Sequence, residues 1–476
     1  MDIDSKRGRF MNKIKKGAVA AIVCFILMIP AIPLHAADQL DERIYYILVD
    51  RFVNGNNEND HNINVEDPEA YHGGDIAGII DKLPEIKQKG FSAINLSPIM
   101  VSESYHGFDT TDHQLIDEQF GTMEDLKELV EQAHEQDIKV ILDFVISQVS
   151  SSHPFASAEQ VGGYFDQSLS KLEITSESTS YINDAIKLWV EEAGVDGIHV
   201  YADEPENGEL IDRITENLQD QAFVITEGTD RSGIAMNHDF QQEAVNLLSN
   251  PGESLEPLFD QEYAFTANGI NYMESVLTSR FAFEAVREGY HPVTRWKLAS
   301  TLLYTLPGSS LFYQGGEVPM DNGQAEPDHR MAELNKEDEE IIQHLEKLSQ
   351  IRESSQALSE GELELVGQAG AMTVFKRTSA EETMYIAVNN DTKTQVVPVE
   401  DIDSDMQLTG LLEDDIVRRQ DDGTYRIALE RETSNIFIVE ENKGINWFFI
   451  TMMVIIFGGF VAFITALNIK VKHRTK

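Results

Sequence analysis

The chain has little cysteine, little tryptophan and little positive charge. Its 476 residues include one cysteine, Cys24, and three tryptophans. A single cysteine excludes an intramolecular disulfide, so a packed core must hold the fold without cross-links. Only 37 Lys/Arg stand against 82 Asp/Glu, a formal net charge of −45. The few cations are also unevenly placed. Six Lys/Arg and two acids fall in the first 36 residues and four Lys/Arg in the last seven, which leaves 27 basic and 80 acidic residues between them, a net of −53. So acidic a body argues against nucleic acid or anionic lipid as a partner, since both are recognised by positive charge. It suits a protein facing salt or alkaline medium, or one that binds cations, and it serves plain solubility equally well. Internal repeats and low-complexity tracts are absent.

Both ends carry apolar runs. Lys6, Arg7, Arg9, Lys13, Lys15 and Lys16 precede the run Ala18 to Pro33 and the small-residue site Leu34-His35-Ala36. This three-part pattern predicts a secretory signal over 1–36, cut after Ala36, with an uncleaved N-terminal anchor as the alternative. At the other end, Ile445 to Ile469 is apolar almost throughout and long enough to span a bilayer. Lys470, Lys472, Arg474 and Lys476 make 470–476 a basic tail that would stay cytoplasmic. The expectation is a single-pass cell-membrane protein with an extracellular body, as on a bacterial surface.

Between these ends, short apolar stretches alternate with amphipathic ones. Arg43 to Asp50, Phe91 to Ile99, Ile138 to Val145 and Ala222 to Glu227 read as strands. Ile79 to Lys89, a segment capped by Thr122 and running to about Gln136, Tyr181 to Glu192, Gly208 to Gln219 and Asp338 to Glu353 read as helices. From Glu362 to Glu441 the pattern becomes short alternating strands with turns such as Asn389-Asn390-Asp391 and Asp421-Asp422-Gly423, which predicts a small antiparallel β-sandwich.

One stretch organises the rest: Gly194 to Asp203 reads G-V-D-G-I-H-V-Y-A-D, an apolar run ending in polar residues. It is joined, in order, by Arg43 to Phe52, Tyr105-His106-Gly107-Phe108-Asp109, Asp143-Phe144-Val145-Ile146-Ser147-Gln148, Ala222 to Glu227, Thr305-Leu306-Pro307-Gly308 and Leu311 to Glu317. With these motifs the chain resembles the α-amylase family of glycoside hydrolases over roughly residues 43 to 440. The resemblance implies an α/β architecture: a (β/α)8 TIM barrel at 37–355 with a much reduced B domain, a C-terminal antiparallel β-sandwich at 356–442, then the transmembrane helix at 445–469. In the family the fourth strand reads G-V-D-G-F-R-x-D, with the nucleophile last. Here His199 stands at the arginine position and Tyr201 at the nucleophile position. The fifth-strand motif F-x-x-G-E places the general acid/base on Glu227. Asn237-His238-Asp239 spells the family's last catalytic motif but lies too early, near strand six. Alignment on Arg295-Trp296-Lys297-Leu298-Ala299 instead puts that motif on Ser275-Val276-Leu277, so the third carboxylate position holds Leu277. In the third-strand pattern D-x-V-x-N-H, Asp143 is kept while Ser147 and Gln148 replace the last two residues. The B domain shrinks to Ser151–Ser170, and Tyr105, His106, Phe108, His199 and Tyr201 occupy sugar-contact positions.

Asn54-Gly55-Asn56-Asn57-Glu58-Asn59-Asp60 followed by Tyr71-His72-Gly73-Gly74-Asp75 gathers the oxygen ligands that a hard cation requires. Resemblance to calcium-binding bacterial amylases and cyclodextrin-forming transferases places Ca²⁺ ligands at Asn54, Asn56, Asn59, Asp60, Asp75 and the Gly73 carbonyl. The competing reading is a polar turn, since Asn and Gly favour turns anyway.

Retaining glycosidases need two carboxyl groups about 5–5.5 Å apart. Of the family's three carboxylate positions only Glu227 is filled. Asp203 shares the strand parity of Tyr201, but two residues along a strand displace it by about 6.6 Å, and catalytic geometry tolerates far less. The sequence therefore predicts a membrane-anchored pseudoenzyme serving as an α-glucan or oligosaccharide-binding module or scaffold. The alternatives are an active retaining hydrolase or transglycosylase using Glu227 with a rearranged carboxylate, and an interaction subunit of a membrane complex.

Overall fold

The computed structural model describes residues 40–165, 168–202, 207–218, 221–227, 232–259, 269–322, 329–442, 444 and 447–474, with side chains of the last helix at Phe448 and over 450–466. By contact the chain divides into Met1–Asp38 and Gln39–Lys476. The expected secretory signal at 1–36 lies outside the described residues.

Eight strands form a closed parallel barrel: β1 (Arg43–Ile47), β2 (Ala93–Leu96), β3 (Lys139–Val145), β4 (Gly197–Tyr201), β5 (Phe223–Glu227), β6 (Ile234–Met236), β7 (Gly269–Tyr272) and β8 (Ser309–Tyr313). Neighbours in sequence are neighbours in space, and Ile44 of β1 closes the ring between Leu311 and Ala93. The strands are apolar on both faces because both are buried. In β1, Ile44 and Tyr46 join the cluster inside the barrel, while Tyr45 and Ile47 join the cluster beneath the helices.

The helices are placed by their caps. In α1 (Ile76–Gln88) the Asp75 carboxylate accepts from the Gly78 N–H. Thr122 caps α2 (Met123–His134) in a reciprocal box with Asp125, as its sequence predicts. The next helix, α3 (Ser176–Lys187), begins five residues earlier than the apolar spacing suggests. The reason is a second box, Thr175 with Ser178, that adds a polar first turn. A π-helical turn (Leu188–Ala193) continues it and ends at Gly194, whose φ of 81° requires glycine. α4 (Gly208–Leu218), α5 (His238–Ser249), α6 (Phe281–Arg287), α7 (Pro292–Thr305) and α8 (Glu339–Ser354) complete the outer layer.

The shortened B region is a three-stranded sheet of Gln148–Val149, Ser168–Leu172 and Ala156–Gly162, lying over the barrel mouth beside a ribbon of Met100–Ser102 with Thr110–Ile116. The C-terminal domain pairs a six-stranded antiparallel sheet with a two-stranded one (Gln395–Val399 and Tyr425–Leu429), and Val374, Tyr385, Val397, Ile427 and Phe437 fill its core. It is joined to the barrel through Arg295 of α7, which donates to Asn390 Oδ1 (2.6 Å) and pairs with Glu432 (2.9 Å).

The chain ends in α9 (Trp447–Arg474). Among the described residues no helix is long and apolar enough to cross a membrane. This overturns the expected transmembrane helix at 445–469, the single-pass cell-membrane location and the cytoplasmic assignment of 470–476.

Candidate active site at the barrel mouth

The carboxyl ends of β3, β4, β5 and β7 converge on one polar cluster. Strand register sets its plan: Tyr201 lies beside Glu227 across β4 and β5, and His199 lies beside Asp143 across β3 and β4. The sequence-predicted nucleophile and acid/base positions are therefore adjacent, as the family pattern requires, but one holds a phenol.

Asp143 is fully buried and both its oxygens are engaged. Tyr46 Oη donates to Oδ2 (2.6 Å) and Asn95 Nδ2 to Oδ1 (2.6 Å), while His199 Nδ1 lies 3.0 Å from Oδ1. The other ring nitrogen, His199 Nε2, faces Glu227 Oε2 at 3.6 Å and makes no hydrogen bond. Burial alone would keep this imidazole neutral; the Asp143 carboxylate, helped by Glu227, outweighs it and pushes the pKa up to about 9. His199 is thus a cation at neutral pH, and the positive charge at the family's arginine position survives the substitution. Glu227 is almost wholly buried, and its other oxygen lies 3.3 Å from Nε2 of the half-exposed His238. His238 Nδ1 in turn contacts Tyr272 Oη at 2.7 Å.

Tyr201 is buried, and its ring lies over His199 at 4.5 Å. Burial, then the negative charge of Asp143, raises its phenol well above the ordinary value, so it stays protonated. Leu277 follows β7, packs against the cluster inside the barrel and brings no charge. Asp203 lies outside the described residues.

The sugar-contact residues are also gathered here, but against one another. Tyr105, His106 and Phe108 are each 2 % exposed or less. Arg51 lies 3.6 Å above the Tyr105 ring, whose hydroxyl meets His329 Nδ1 at 3.2 Å. Above His106 and Phe108 sit Tyr164 and Phe165 of the shortened B region. Sequence reasoning missed this pair because nothing local marks two aromatics as part of a site 60 residues upstream. It also set His238 aside with the displaced Asn237-His238-Asp239. Asn237 instead caps α5, which puts the next residue at the mouth.

A second polar cluster lies between β1 and α1. Asp60 accepts from Asn54 Nδ2 (2.9 Å), and a Cβ on Gly73 would fall 2.6 Å from that nitrogen. The side-chain oxygens of Asn54 and Asn59 are buried and have no partner. The Asp75 carboxylate accepts from the N–H groups of Gly55, Asn56 and Gly78, and Asn56 Oδ1 accepts from Glu58 N at the surface. Among the described residues no group of three or more His, Cys, Asp or Glu is arranged to hold a metal ion.

Comparison with known proteins agrees with this geometry. Residues 46–163 match the family described as α-amylase catalytic domain, and 361–437 match the α-amylase C-terminal domain. The cyclomaltodextrinase of Thermoanaerobacter pseudethanolicus is 26% identical over 423 residues, 76% of this chain and 72% of that protein. The maltogenic α-amylase of Bacillus acidopullulyticus is 26% identical over 75% of this chain and 70% of its own. Among solved structures, an Anoxybacillus α-amylase superposes with a TM-score of 0.78 at 34% identity, covering 85% of this chain and 99% of that one. The Geobacillus thermoleovorans α-amylase, solved with acarbose, gives 0.75 at 32% identity over the same shares. Motif order, closed barrel, C-terminal domain and these likenesses agree: the chain belongs to the α-amylase family of glycoside hydrolases.

Proposed function

We propose that this chain is a non-hydrolysing member of the family, whose barrel mouth takes an α-glucan oligosaccharide as a ligand and not as a substrate. The observation that carries this reading is Tyr201. A retaining reaction needs a carboxylate on the anomeric carbon opposite the acid/base. At that register position stands a buried phenol, kept protonated by burial and by the Asp143 charge. The neighbours of Glu227 are imidazoles, His199 and His238, and Asp143 stands on the far side of the His199 ring. With Leu277 at the third position, little remains to stabilise positive charge developing on a sugar ring. Retained donors and aromatics, together with the acarbose complex of a relative, support oligosaccharide as the ligand class.

The test is turnover. Purified protein and its Glu227→Gln variant are assayed on maltooligosaccharides and aryl α-glucosides, with binding followed by calorimetry. The expected result is binding without release of reducing ends. Turnover that Glu227→Gln abolishes would overturn the reading and favour the active hydrolase; neither turnover nor binding would leave a scaffold.

The residues between β1 and α1 fit calcium. Two buried, unpartnered amide oxygens, one of them on the side chain that donates to the Asp60 carboxylate, are the oxygen ligands a hard cation requires. Asn54, Asn59, Asp60 and the Gly73 carbonyl would hold it, with Asp75 and Asn56 adjoining. Its contribution would be structural, tying the loop of Asn54 to Asp60 to the turn at Gly73. Chelation should then lower the thermal midpoint, and added Ca²⁺ should restore it; an unchanged midpoint would remove the ion.

A further inference from the structure

The aromatic cluster at the mouth has two layers. Phe108, Tyr201, His106 and Tyr105 form the inner one and are shielded from solvent. Tyr164 and Phe165 form the outer one and are only partly buried. The Phe165 ring centroid lies 4.3 Å from His106, 5.1 Å from Phe108 and 5.5 Å from His329. That of Tyr164 lies 5.6 Å from Phe108 and 5.9 Å from Tyr201, and its hydroxyl is 3.5 Å from Ser147 Oγ. Four of the five residues they contact are positions assigned to catalysis, substrate or the altered third-strand motif. The pair follows the strand Ala156–Gly162, whose partner strand resumes at Ser168 opposite Gly162. The outer strand, Ala156–Gly162, is polar with no buried residue, while its partner buries Leu169 and Leu172, so the two rings extend from an anchored strand over the mouth.

We propose that Tyr164 and Phe165 are a built-in occupant of the barrel mouth: they cover the sugar-contact rings in the free protein and give way when an oligosaccharide binds. The proposal rests on the reading of the mouth as an oligosaccharide site and adds how that site is regulated. An apolar ring face seated on Phe108 and His106 takes the surface that the flat face of a sugar ring would use. If the open form is a minor population, the apparent affinity falls in proportion to that population. Removing the two rings should then strengthen binding without adding a single contact to the ligand.

The full-length protein provides two readouts. In the first, Tyr164→Ala/Phe165→Ala should bind maltotriose at least tenfold more tightly than the unaltered chain in calorimetry. The second needs no glycan. In a Cys24→Ala background, the thiol introduced by Tyr201→Cys should react with iodoacetamide slowly, and at least tenfold faster once Tyr164 and Phe165 are both replaced by Ala. A thermal midpoint within a few degrees of the parent establishes that each variant is folded; Tyr164→Ser/Phe165→Ser replaces any that is not. Equal alkylation rates with and without the two rings would overturn the cover, whatever the protein does with glycans. Faster alkylation with no gain in maltotriose affinity would overturn its role as an occupant of the sugar site. Turnover of maltooligosaccharides, by contrast, would sink the non-hydrolysing reading and leave the cover standing.

Discussion

Two buried histidine sites flank β3 and differ in charge. His113, on the ribbon beside the mouth, is fully buried; its Nε2 donates to the Val145 carbonyl (2.8 Å) and its Nδ1 lies 3.1 Å from His153 Nε2. Burial, with the neighbouring imidazole adding to it, lowers its pKa to about 3, and burial lowers His153 to about 4. His199 is just as deep, yet sits near 9 because Asp143 and Glu227 face its two nitrogens. Depth alone does not set charge; the partner does. The first pair is neutral packing. The second keeps a positive charge at the family's arginine position, beside a phenol at the nucleophile position.

Removing the carboxylate that makes the difference should have the largest effect. Asp143→Asn leaves His199 without its main partner in a dry site, and breaking such a buried pair costs about 3–5 kcal/mol. Urea midpoints would read the loss, and the His199 resonances should then titrate well below 9. A His199 that still titrates near 9 in this variant would end the comparison.

Acid should expose the neutral pair. The folded pKa values of His113 and His153 lie below the unfolded value of about 6.5, so the unfolded chain takes up protons first. Stability is complete above pH 6.5 and declines as pH falls, by about 3 kcal/mol at pH 4 from His113 alone. Denaturation from pH 7 to 4 should show that slope, and His113→Gln should flatten it.

Alkali should do the reverse at His199, whose folded pKa lies above its unfolded one. Its contribution is complete below about pH 6.5 and is lost as pH rises toward 9, by about 2 kcal/mol at pH 8. Substitution by Gln should remove this alkaline decline and leave the acid one untouched. The smallest effect belongs to the half-exposed His238. His238→Ala should cost under about 1 kcal/mol, as exposed pairs do, while weakening maltotriose binding if Glu227 needs that partner to be held in place.

Much of this fold could be read along the chain. Strands buried on both faces leave unbroken apolar runs such as Ile44 to Val49, and caps such as Thr122 act within four residues. Tyr201 and Leu277 were equally legible, because their places follow from motif spacing. α3 was misjudged because its first turn, Ser176 to Ser180, buries little and leaves no apolar signal. The terminal apolar run was over-read: among the described residues no helix is long and apolar enough to cross a membrane.

What the sequence determined by itself was membership: six of the eight barrel strands in order, a C-terminal sheet, and Tyr201 and Leu277 at positions where the resemblance places carboxylates. Those facts depend on residue type and spacing. Tertiary structure alone decided the charge on His199, the contact of His238 with Glu227, and the cover that Tyr164 and Phe165 place on Phe108. Each depends on groups brought together from strands or loops far apart in the chain, and both Coulomb attraction and ring contact act over a few ångströms of space.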